Sequence, residues 1–371
     1  MELVELLGEL VAIDSVNPDL VPGGAGETEL AAYVARWCDR AGLAVELYEP
    51  APGRPNVIAV ARGLGGGRSL LLNAHLDTVG VAGMVRPHEP RIEGGRLYGR
   101  GAYDMKAGLA AIMVAAADSA RAGLRGDVIL TAVADEEFRS VGTESIAGRL
   151  RADAAIVTEP TELRLCLAHK GFVALEVESL GRAAHGSRPD LGVDAIAKMG
   201  GVLVGLQELD RRLRAGPTHA LLGSGSVHAS LIEGGQEFSS YPERCSLAAE
   251  RRTVPGETDA QVLAELQAIL DEAATADPQF LGAARIVFSR PPLEVSGEEP
   301  IVRVLRRAAG EPEVIGAPYW TDAALLGAAG IPTAIYGPGG EGAHAAVEWA
   351  DLDQLERCAG VLLATATEWC A

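Results

Sequence analysis

One arrangement recurs along the chain: a short apolar segment of β-strand length ends in an acidic residue or a histidine. The segments are "RSLLLNAHLD", "DVILTAVADEE" and "AAIVTEP", and the long Ala-rich helical segment "DMKAGLAAIMVAAADSARAG" separates the first two. Apolar strands that alternate with helices are typical of a largely parallel sheet covered on both faces. Ligands of such sheets bind beyond the carboxyl ends of the strands. We therefore expect an α/β fold whose functional residues follow its strands.

A region with a different pattern interrupts this alternation after "AHKG". Its first segment, "FVALEVESLG", alternates as a half-exposed strand does. From about Phe172 to Ser289 the order strand–helix–strand–strand–helix–strand predicts a ferredoxin-like α+β sandwich. A chain of 371 residues also exceeds one ordinary core. We predict a catalytic domain in two parts, residues 1–171 and 290–371, with residues 172–289 inserted as a lid and dimerisation domain.

Composition excludes several classes of protein. The net charge of −19 and the lack of a basic cluster argue against a nucleic-acid partner. No apolar run is long enough for a membrane span, and the amphipathic start "MELVELLGELVAIDSVNP" lacks the pattern of a signal peptide. The five cysteines are widely spaced, without a CxxC pair, which suits a reducing compartment and argues against a cysteine-based zinc site. We expect a cytoplasmic protein with no membrane partner.

Three consecutive carboxylates, Asp135, Glu136 and Glu137, follow the strand "DVILTAVA". Like charges repel, and their burial is costly unless a cation is present. One explanation is that the strand emerges into water and the acids are solvated. The other is that a metal ion lies there, with one acid binding it and its neighbour transferring protons.

Further polar residues of the ligand type follow other strands. They are His75 and Asp77 in "NAHLDTV", Asp104 in "YGRGAYDMKAG", Glu159 in "VTEPT" and His344 in "GPGGEGAH". Two histidines and several carboxylates at one edge of a sheet make a site for divalent metals. His75 and Asp77 lie two residues apart, so Asp77 can accept the second ring N–H of a metal-bound His75.

Taken singly, each of these residues has an ordinary structural explanation. His75 alone could be a core or surface histidine, Asp104 could cap the helix that follows it, and Glu159 could simply end a strand. Together these explanations require acids and histidines to follow several strands by chance. We therefore favour the metal interpretation.

Six motifs in series resemble those of a known family. "HLDTV", "GRGAYDMKAG", "ADEEF", "TEPT", "GRAAHGSRP" and "GPGGEGAHAAVEW" are similar, in this order, to the motifs of the co-catalytic zinc amidohydrolases and peptidases. That family includes acetylornithine deacetylase, succinyl-diaminopimelate desuccinylase, aminoacylase and glutamate carboxypeptidase. The resemblance spans nearly the whole chain, and six ordered motifs are far more specific than any one of them.

The resemblance implies two divalent metal ions, with zinc preferred and Co²⁺ or Mn²⁺ as alternatives. It implies that His75 and Glu159 bind one ion and that Glu137 and His344 bind the other. Asp104 would bridge the two ions and precede a cis peptide bond. Glu136 would be the general base, and Asp77 would orient His75.

The resemblance also implies roles for residues that contact the substrate. His185 in "GRAAHGSRP" would reach the site of a partner subunit and donate to the developing oxyanion, which implies a homodimer through the inserted domain. Arg252 in "ERRTVP" would bind a substrate carboxylate. Ser239 stands where the family often has Asn, and Thr321, beside a supporting Asp322, matches a pocket motif. Without the resemblance, His185 and Arg252 would be ordinary residues near strand ends.

The leading hypothesis is hydrolysis of the amide bond of an N-acyl amino acid by water that two metal ions activate, as in acetylornithine deacetylase or the desuccinylase. A dipeptidase or carboxypeptidase could use the same site with a dipeptide as the small-molecule substrate. Outside enzymes, the alternative is an inactive metal-binding dimeric scaffold. Such a scaffold would have lost Glu136 or a metal ligand, and this sequence keeps them all.

Overall fold

A computed structural model of the chain describes residues 3–371. Met1 and Glu2, which begin the predicted catalytic part and its amphipathic helix, lie outside the described residues. The chain divides into two compact units. The first comprises Met1–Leu167, Val295–Ile315 and Thr321–Ala371, and the second comprises Ala168–Glu294 and Gly316–Trp320.

The helices and strands of the two units are numbered in chain order. The helices are α1 (Leu3–Ala12), α2 (Thr28–Arg40), α3 (Ala107–Ala122), α4 (Val141–Arg149), α5 (Ala195–Ala215), α6 (Asp259–Ala276), α7 (Pro300–Ala308), α8 (Ala323–Ala328) and α9 (Leu352–Trp369). The strands are β1 (Ala44–Ala51), β2 (Arg54–Ala61), β3 (Leu70–His75), β4 (Arg91–Glu93), β5 (Arg96–Tyr98), β6 (Val128–Val133), β7 (Ala154–Val157), β8 (Leu165–His169), β9 (Gly171–Leu180), β10 (Ser226–Gly234), β11 (Arg244–Thr253), β12 (Leu281–Arg290), β13 (Leu293–Glu294), β14 (Val314–Ala317), β15 (Thr333–Ile335), β16 (Gly340–Glu341) and β17 (Trp349–Asp351). Within residues 3–371, no helix combines the length and the apolar character of a membrane span.

The first unit is built on a sheet in the order β1-β2-β6-β3-β7-β15-β8. The central strands β6, β3, β7 and β15 are parallel to one another, while β1–β2, β2–β6 and β15–β8 are antiparallel pairs. The central strands are buried along their whole length, as their continuous apolar sequences require. The predicted α/β fold with a mostly parallel sheet is confirmed, with the antiparallel pairs at its flanks.

Helix α3 and the parallel strands together create the edge at which the candidate site lies. Alanine is the best helix former, and the small side chains of α3 pack into the same core as α1, α9 and the sheet. The helix ends at Gly123, whose φ of 65° is left-handed. Since β3, β6 and β7 are parallel, the residues that follow them meet at one edge of the sheet.

A small antiparallel sheet in the first unit has the order β16-β17-β5-β4. Trp349 of β17 pairs with Tyr98 of β5. The turn Ala102–Lys106 closely follows β5, and the loop between β16 and β17 contains His344. This pairing therefore places the His344 loop beside the turn that carries Asp104.

The second unit has the element order β9-α5-β10-β11-α6-β12 and one antiparallel sheet in the order β10-β11-β9-β12. Buried and half-exposed residues alternate along β9 and β11. Their buried side chains pack against α5 and α6, so helices cover one face of the sheet. The predicted ferredoxin-like sandwich is confirmed.

The unit boundaries differ by a few residues from the predicted domain boundaries. Leu293 and Glu294 of β13 pair with His169 and Ala168, and the Lys170 N–H donates to the Ala317 carbonyl. These backbone bonds place residues 168–171, 290–294 and 316–320 in the second unit, although we predicted them in the two catalytic parts. The roles of the parts in catalysis and dimerisation stay predictions.

Candidate metal centre

Three residues at the carboxyl edge of the sheet form a first group. His75 is the last residue of β3, Glu159 follows β7, and Asp104 lies in the turn before α3. The His75 Nε2 atom is 3.2 Å from Asp104 Oδ1 and 4.0 Å from Glu159 Oε1. One ligand atom from each residue lies within 4.8 Å of the others, close enough for a single metal ion.

A second group shares Asp104 with the first. The His344 Nε2 atom is 3.1 Å from Glu137 Oε2 and 3.5 Å from Asp104 Oδ2. The His344 side chain is 55% exposed, so this group opens to solvent. The two oxygens of Asp104 thus face different histidines, as those of a bridging carboxylate would.

The donor atoms fit a pair of divalent cations. Two imidazole nitrogens and several carboxylate oxygens suit zinc and similar ions. Glu137 Oε1 is buried and has no hydrogen-bond partner among the described residues. A buried carboxylate oxygen without a donor is unfavourable, and a cation at this position would remove that cost.

The carboxyl groups of the site repel one another. Burial, followed by the charge of Glu159, raises the pKa of Glu136 well above its ordinary value. Burial also raises the pKa of Glu159 well above its ordinary value, and burial and the nearby Asp104 raise the pKa of Glu137. Without a cation, these side chains therefore tend to hold protons.

The neighbouring carboxylates also raise the pKa values of the two histidines. Hydrogen bonds to Asp104 and Glu137 raise the pKa of His344 to about 10. Burial disfavours the charged form of His75, but Asp104 and Glu159 outweigh it and raise the pKa of His75 well above its ordinary value. The site thus attracts positive charge, which protons supply when metal ions do not.

Asp77 holds the chain that carries the two adjacent glutamates. Its carboxylate accepts the peptide N–H groups of Glu136 at 3.0 Å and Glu137 at 3.1 Å, and the Asn17 side-chain amide at 2.8 Å. The His75 Nδ1 atom is 2.9 Å from the Asp77 backbone carbonyl and 3.6 Å from its carboxylate. The ring nitrogen thus lies closer to the Asp77 backbone carbonyl than to the Asp77 carboxylate, whose oxygens accept the two peptide N–H groups. The orientation of a metal-bound His75 by the Asp77 carboxylate stays a prediction.

The turn that carries Asp104 decides between two interpretations of that residue. Helix α3 begins at Ala107, and no side chain caps its first turn. The carboxylate of Asp104 faces the two histidines instead. The peptide bond between Asp104 and Met105 is cis, as the resemblance implied.

Comparison with known proteins decides the family. The sequence profile of the peptidase family M20/M25/M40 matches residues 71–368. The chain belongs to this family. An acetylornithine deacetylase of Myxococcus xanthus is 30% identical over 386 residues, which cover 98% of this chain and 96% of that protein. An N-formyl-4-amino-5-aminomethyl-2-methylpyrimidine deformylase of Halalkalibacterium halodurans is 28% identical over 408 residues, which cover 100% of this chain and 94% of that protein.

Solved structures share the fold along the whole chain. The aminopeptidase PepT of Bacillus cereus superimposes with a TM-score of 0.80 at 20% identity and covers 100% of this chain and 98% of its own. The YXEP protein of Bacillus subtilis is described as a dinuclear metal binding peptidase of the M20 family. It superimposes with a TM-score of 0.75 at 17% identity, and the match covers 99% of this chain and 98% of that protein. The predicted family and fold class are confirmed, and this M20 protein is a hydrolase of amide or peptide bonds.

Behind the metal groups of this M20 enzyme lies a buried polar network that the sequence analysis missed. Arg54 Nη1 donates to Glu27 Oε1 at 2.8 Å, and Arg54 Nη2 donates to Asn17 Oδ1 at 2.9 Å. The Asn17 amide in turn donates to Asp77 and, at 3.0 Å, to Asp135. The only local signal for these residues was their polar character beside apolar segments.

Thr321 and Asp322 lie in the first unit at the start of α8. The Thr321 side chain is buried, and its hydroxyl accepts the Ala323 N–H at 3.3 Å. Asp322 accepts the Thr143 hydroxyl at 2.7 Å, and burial raises its pKa to about 6. These contacts link α8 to α4, and a contact of Thr321 with substrate stays a prediction.

In the second unit, His185 and Ser239 lie in two paired loops. The Gly186 N–H donates to the Ser239 carbonyl at 2.6 Å, and both loops are exposed. His185 Nδ1 accepts the Ser187 N–H at 3.2 Å, so the neutral ring carries its proton on Nε2, where it can donate. These contacts bring His185 and Ser239 together.

Arg252 lies at the other end of the same sheet. It pairs with Phe172 at the start of β9, and its guanidinium carbon is 5.5 Å from the centre of the Phe172 ring. Its Nε donates to Glu250 at 2.6 Å, and about a third of its side chain is exposed (32%). Arg252 is thus ordered and half-exposed but separated from His185 and Ser239.

Proposed function

We propose that this protein is a di-metal hydrolase of N-acyl amino acids, of the acetylornithine deacetylase type. In this proposal His75 and Glu159 hold one ion, Glu137 and His344 hold the other, and Asp104 bridges them. The observation that carries the proposal is that the two oxygens of Asp104 face two different histidines. Zinc is the preferred ion, with Co²⁺ or Mn²⁺ as alternatives. The cytoplasmic location expected from the sequence stays a prediction.

The bound ions would polarise the amide carbonyl and lower the pKa of a water molecule. Glu136 would accept a proton from this water molecule while the water oxygen forms a bond to the carbonyl carbon. When the carbon–nitrogen bond breaks, Glu136 would return the proton to the leaving amine. Because Asp77 binds the peptide N–H groups of both Glu136 and Glu137, the neighbouring side chains can serve two separate tasks.

The Glu136→Gln variant tests the assigned base. It keeps the size of the side chain but cannot accept the proton, so we expect turnover to fall about 10²- to 10⁴-fold. Metal content, measured by mass spectrometry, should stay that of the wild type. The matched variant His75→Ala should lose one ion. Undiminished turnover in Glu136→Gln would remove Glu136 from the mechanism.

An activity assay can determine which acyl group and which amine the substrate contains. The similar proteins include a deacetylase, a deformylase and an aminopeptidase. N-acetyl, N-succinyl and N-formyl amino acids should be compared with dipeptides at equal concentration. Preference for the N-acyl substrates supports the proposal, and preference for dipeptides favours the peptidase. Inactivity on all of them after zinc or cobalt reconstitution would favour the inactive scaffold.

The proposed roles of His185 and Arg252 support a homodimer. In β9 and β11, Phe172 pairs with Arg252 and Leu180 pairs with Arg244, so eight residues separate the two ends. At about 3.3 Å per residue, these ends are about 26 Å apart. Backbone bonds between the segments 181–186 and 239–243 continue the ladder beyond Leu180, away from Arg252. A small substrate that contacts both residues therefore needs them from two subunits.

The second unit also offers a surface for such an assembly. Strand β10 is one of the two edge strands of the sheet, and its residues after Val227 are exposed. Leu231 is 74% exposed and Ile232 is 53% exposed. An exposed apolar edge strand is a template for pairing with another chain. We assign this edge to a second copy of the protein, and light scattering of Leu231→Glu tests the assignment, since the variant should be monomeric.

A further inference from the structure

Glu348 is a fully buried carboxylate with four hydrogen-bond donors around it. Its Oε1 accepts the peptide N–H groups of Tyr103 at 2.9 Å and Asp104 at 3.0 Å. Its Oε2 accepts the Gly101 N–H at 3.0 Å and Arg100 Nη1 at 2.5 Å. The side chain is only 1% exposed. Glu348 thus binds the backbone of the turn that carries Asp104, including the peptide N–H of Asp104 itself.

Arg100 extends this contact to two more loops. Its Nη2 donates to the Ala345 carbonyl at 3.0 Å, next to His344, and its Nε donates to the Gly80 carbonyl at 3.1 Å. The Arg100 side chain is 2% exposed, so its charge is compensated within the protein by Glu348. One buried ion pair therefore connects the Asp104 turn to the His344 loop.

We propose that Arg100 and Glu348 are positioning residues that set the geometry of the second metal group, formed by Asp104, Glu137 and His344. This inference rests on the proposed function. The pair contacts the backbone on both sides of this group, and no bond links it directly to His75 or Glu159. Asp104 is shared by both groups, but the His344 loop, which Arg100 contacts at Ala345, belongs to the second group alone. Loss of the pair should therefore weaken the second ion more than the ion bound by His75 and Glu159.

Two substitutions separate charge from geometry. Glu348→Gln keeps the shape of the side chain, but its amide nitrogen cannot accept the bonds that one carboxylate oxygen now accepts. Arg100→Lys keeps the positive charge beside Glu348, but a lysine cannot also form the planar set of bonds to Gly80 and Ala345. Both should lower the affinity of the second ion about 10- to 100-fold, the usual range for a residue that orients metal ligands.

The experiment is a titration of the chelator-treated 371-residue chain with Co²⁺, followed by absorption spectroscopy and by metal analysis. We expect two ions in the wild type and a selective loss of the weaker one in both variants. We also expect kcat to fall more than KM, with partial recovery at high Co²⁺. Glu257→Gln is the matched control, since Glu257 pairs with the buried Arg251 of the second unit. It should lower the Tm and leave both affinities unchanged.

The outcomes distinguish this inference from the proposed function. Two ions in the wild type, with unchanged affinity for the second in Glu348→Gln, would overturn the inference alone. One ion in the wild type would overturn both. If Glu348→Gln does not fold, Arg100→Lys decides, because a folded variant with wild-type affinity for the second ion would contradict the positioning role.

Discussion

Mixing two inactive variants tests whether the active site is shared between subunits. The first variant, His185→Ala, removes the proposed oxyanion donor, and the second, Glu136→Gln, removes the proposed base. Each homodimer should be at least about 10²-fold less active than the wild type. If His185 acts on the partner's site, a mixed dimer contains one intact site, because Glu136 of one chain meets His185 of the other.

The register of the second unit explains why activity should recover only in mixed dimers, and the share of mixed dimers gives the size of the recovery. Arg252 lies at one end of the paired segment of β9 and β11, which is about 26 Å long, and His185 lies beyond the other end, so one substrate cannot contact both within a chain. Random exchange of equal amounts gives mixed dimers in about half of the population, each with one working site of two. We therefore expect about a quarter of wild-type activity in the unfractionated mixture and about half in the purified mixed dimer.

The assay is co-expression with two different affinity tags, sequential purification of the mixed dimer, and amine release from an N-acyl amino acid. The control is the same pairing with Arg252→Ala in place of His185→Ala. In the shared-site proposal His185 and Arg252 reach one substrate from different chains, so this mixture should recover nothing. The shared site would be refuted if purified mixed dimers of His185→Ala and Glu136→Gln remained inactive.

Two further predictions concern the buried network behind the site. Asn17→Ala removes hydrogen bonds to the charged groups of Asp77, Asp135 and Arg54. The free energy of unfolding should therefore fall by at least about 3 kcal/mol. The Tm should fall by roughly 6–12 °C in thermal denaturation, and a fall below about 2 °C would contradict this role. Burial raises the pKa of Glu27 from 4.5 to about 7, so its contribution to stability is present below about pH 4.5 and is lost as the pH rises through about 7. Relative to Glu27→Gln, which cannot ionise, the wild type should lose about 2–3 kcal/mol between pH 5 and pH 8 in urea unfolding with chelator, and parallel pH profiles would disprove the shift.

The sequence could predict that the candidate metal ligands meet because the parallel sheet itself brings them together. His75, Glu137 and Glu159 follow three neighbouring parallel strands, so local strand patterns are enough to expect them at one edge. The pattern could not show which atoms of Asp77 meet His75. Spacing indicates that two side chains face the same way, but the backbone carbonyl competes for the same ring nitrogen.

The supporting residues could not be predicted because their partners are distant along the chain. Asn17 bonds to a residue 60 positions away, and Arg100 bonds to Glu348 across 248 positions. Strand and helix periodicity describes burial along one element and contains no information on such pairs. Asn17 and Glu348 have little in their local sequence to distinguish them from a polar turn residue and a surface acid.

The three consecutive acids show why charge at this edge reflects function rather than stability. Solvation does not explain them, because Asp135 is buried and only 7% of the Glu137 side chain is exposed. The backbone turns at Asp135, with φ of 71°, and the three residues then meet different partners: Asn17 binds Asp135, His344 binds Glu137, and Asp77 binds both glutamate N–H groups. Burial still raises the pKa of all three carboxyl groups, so their charged forms are unfavourable there unless a cation compensates them. A fold selected only for stability would replace these acids, and their presence therefore argues that positive ions complete this edge of the sheet.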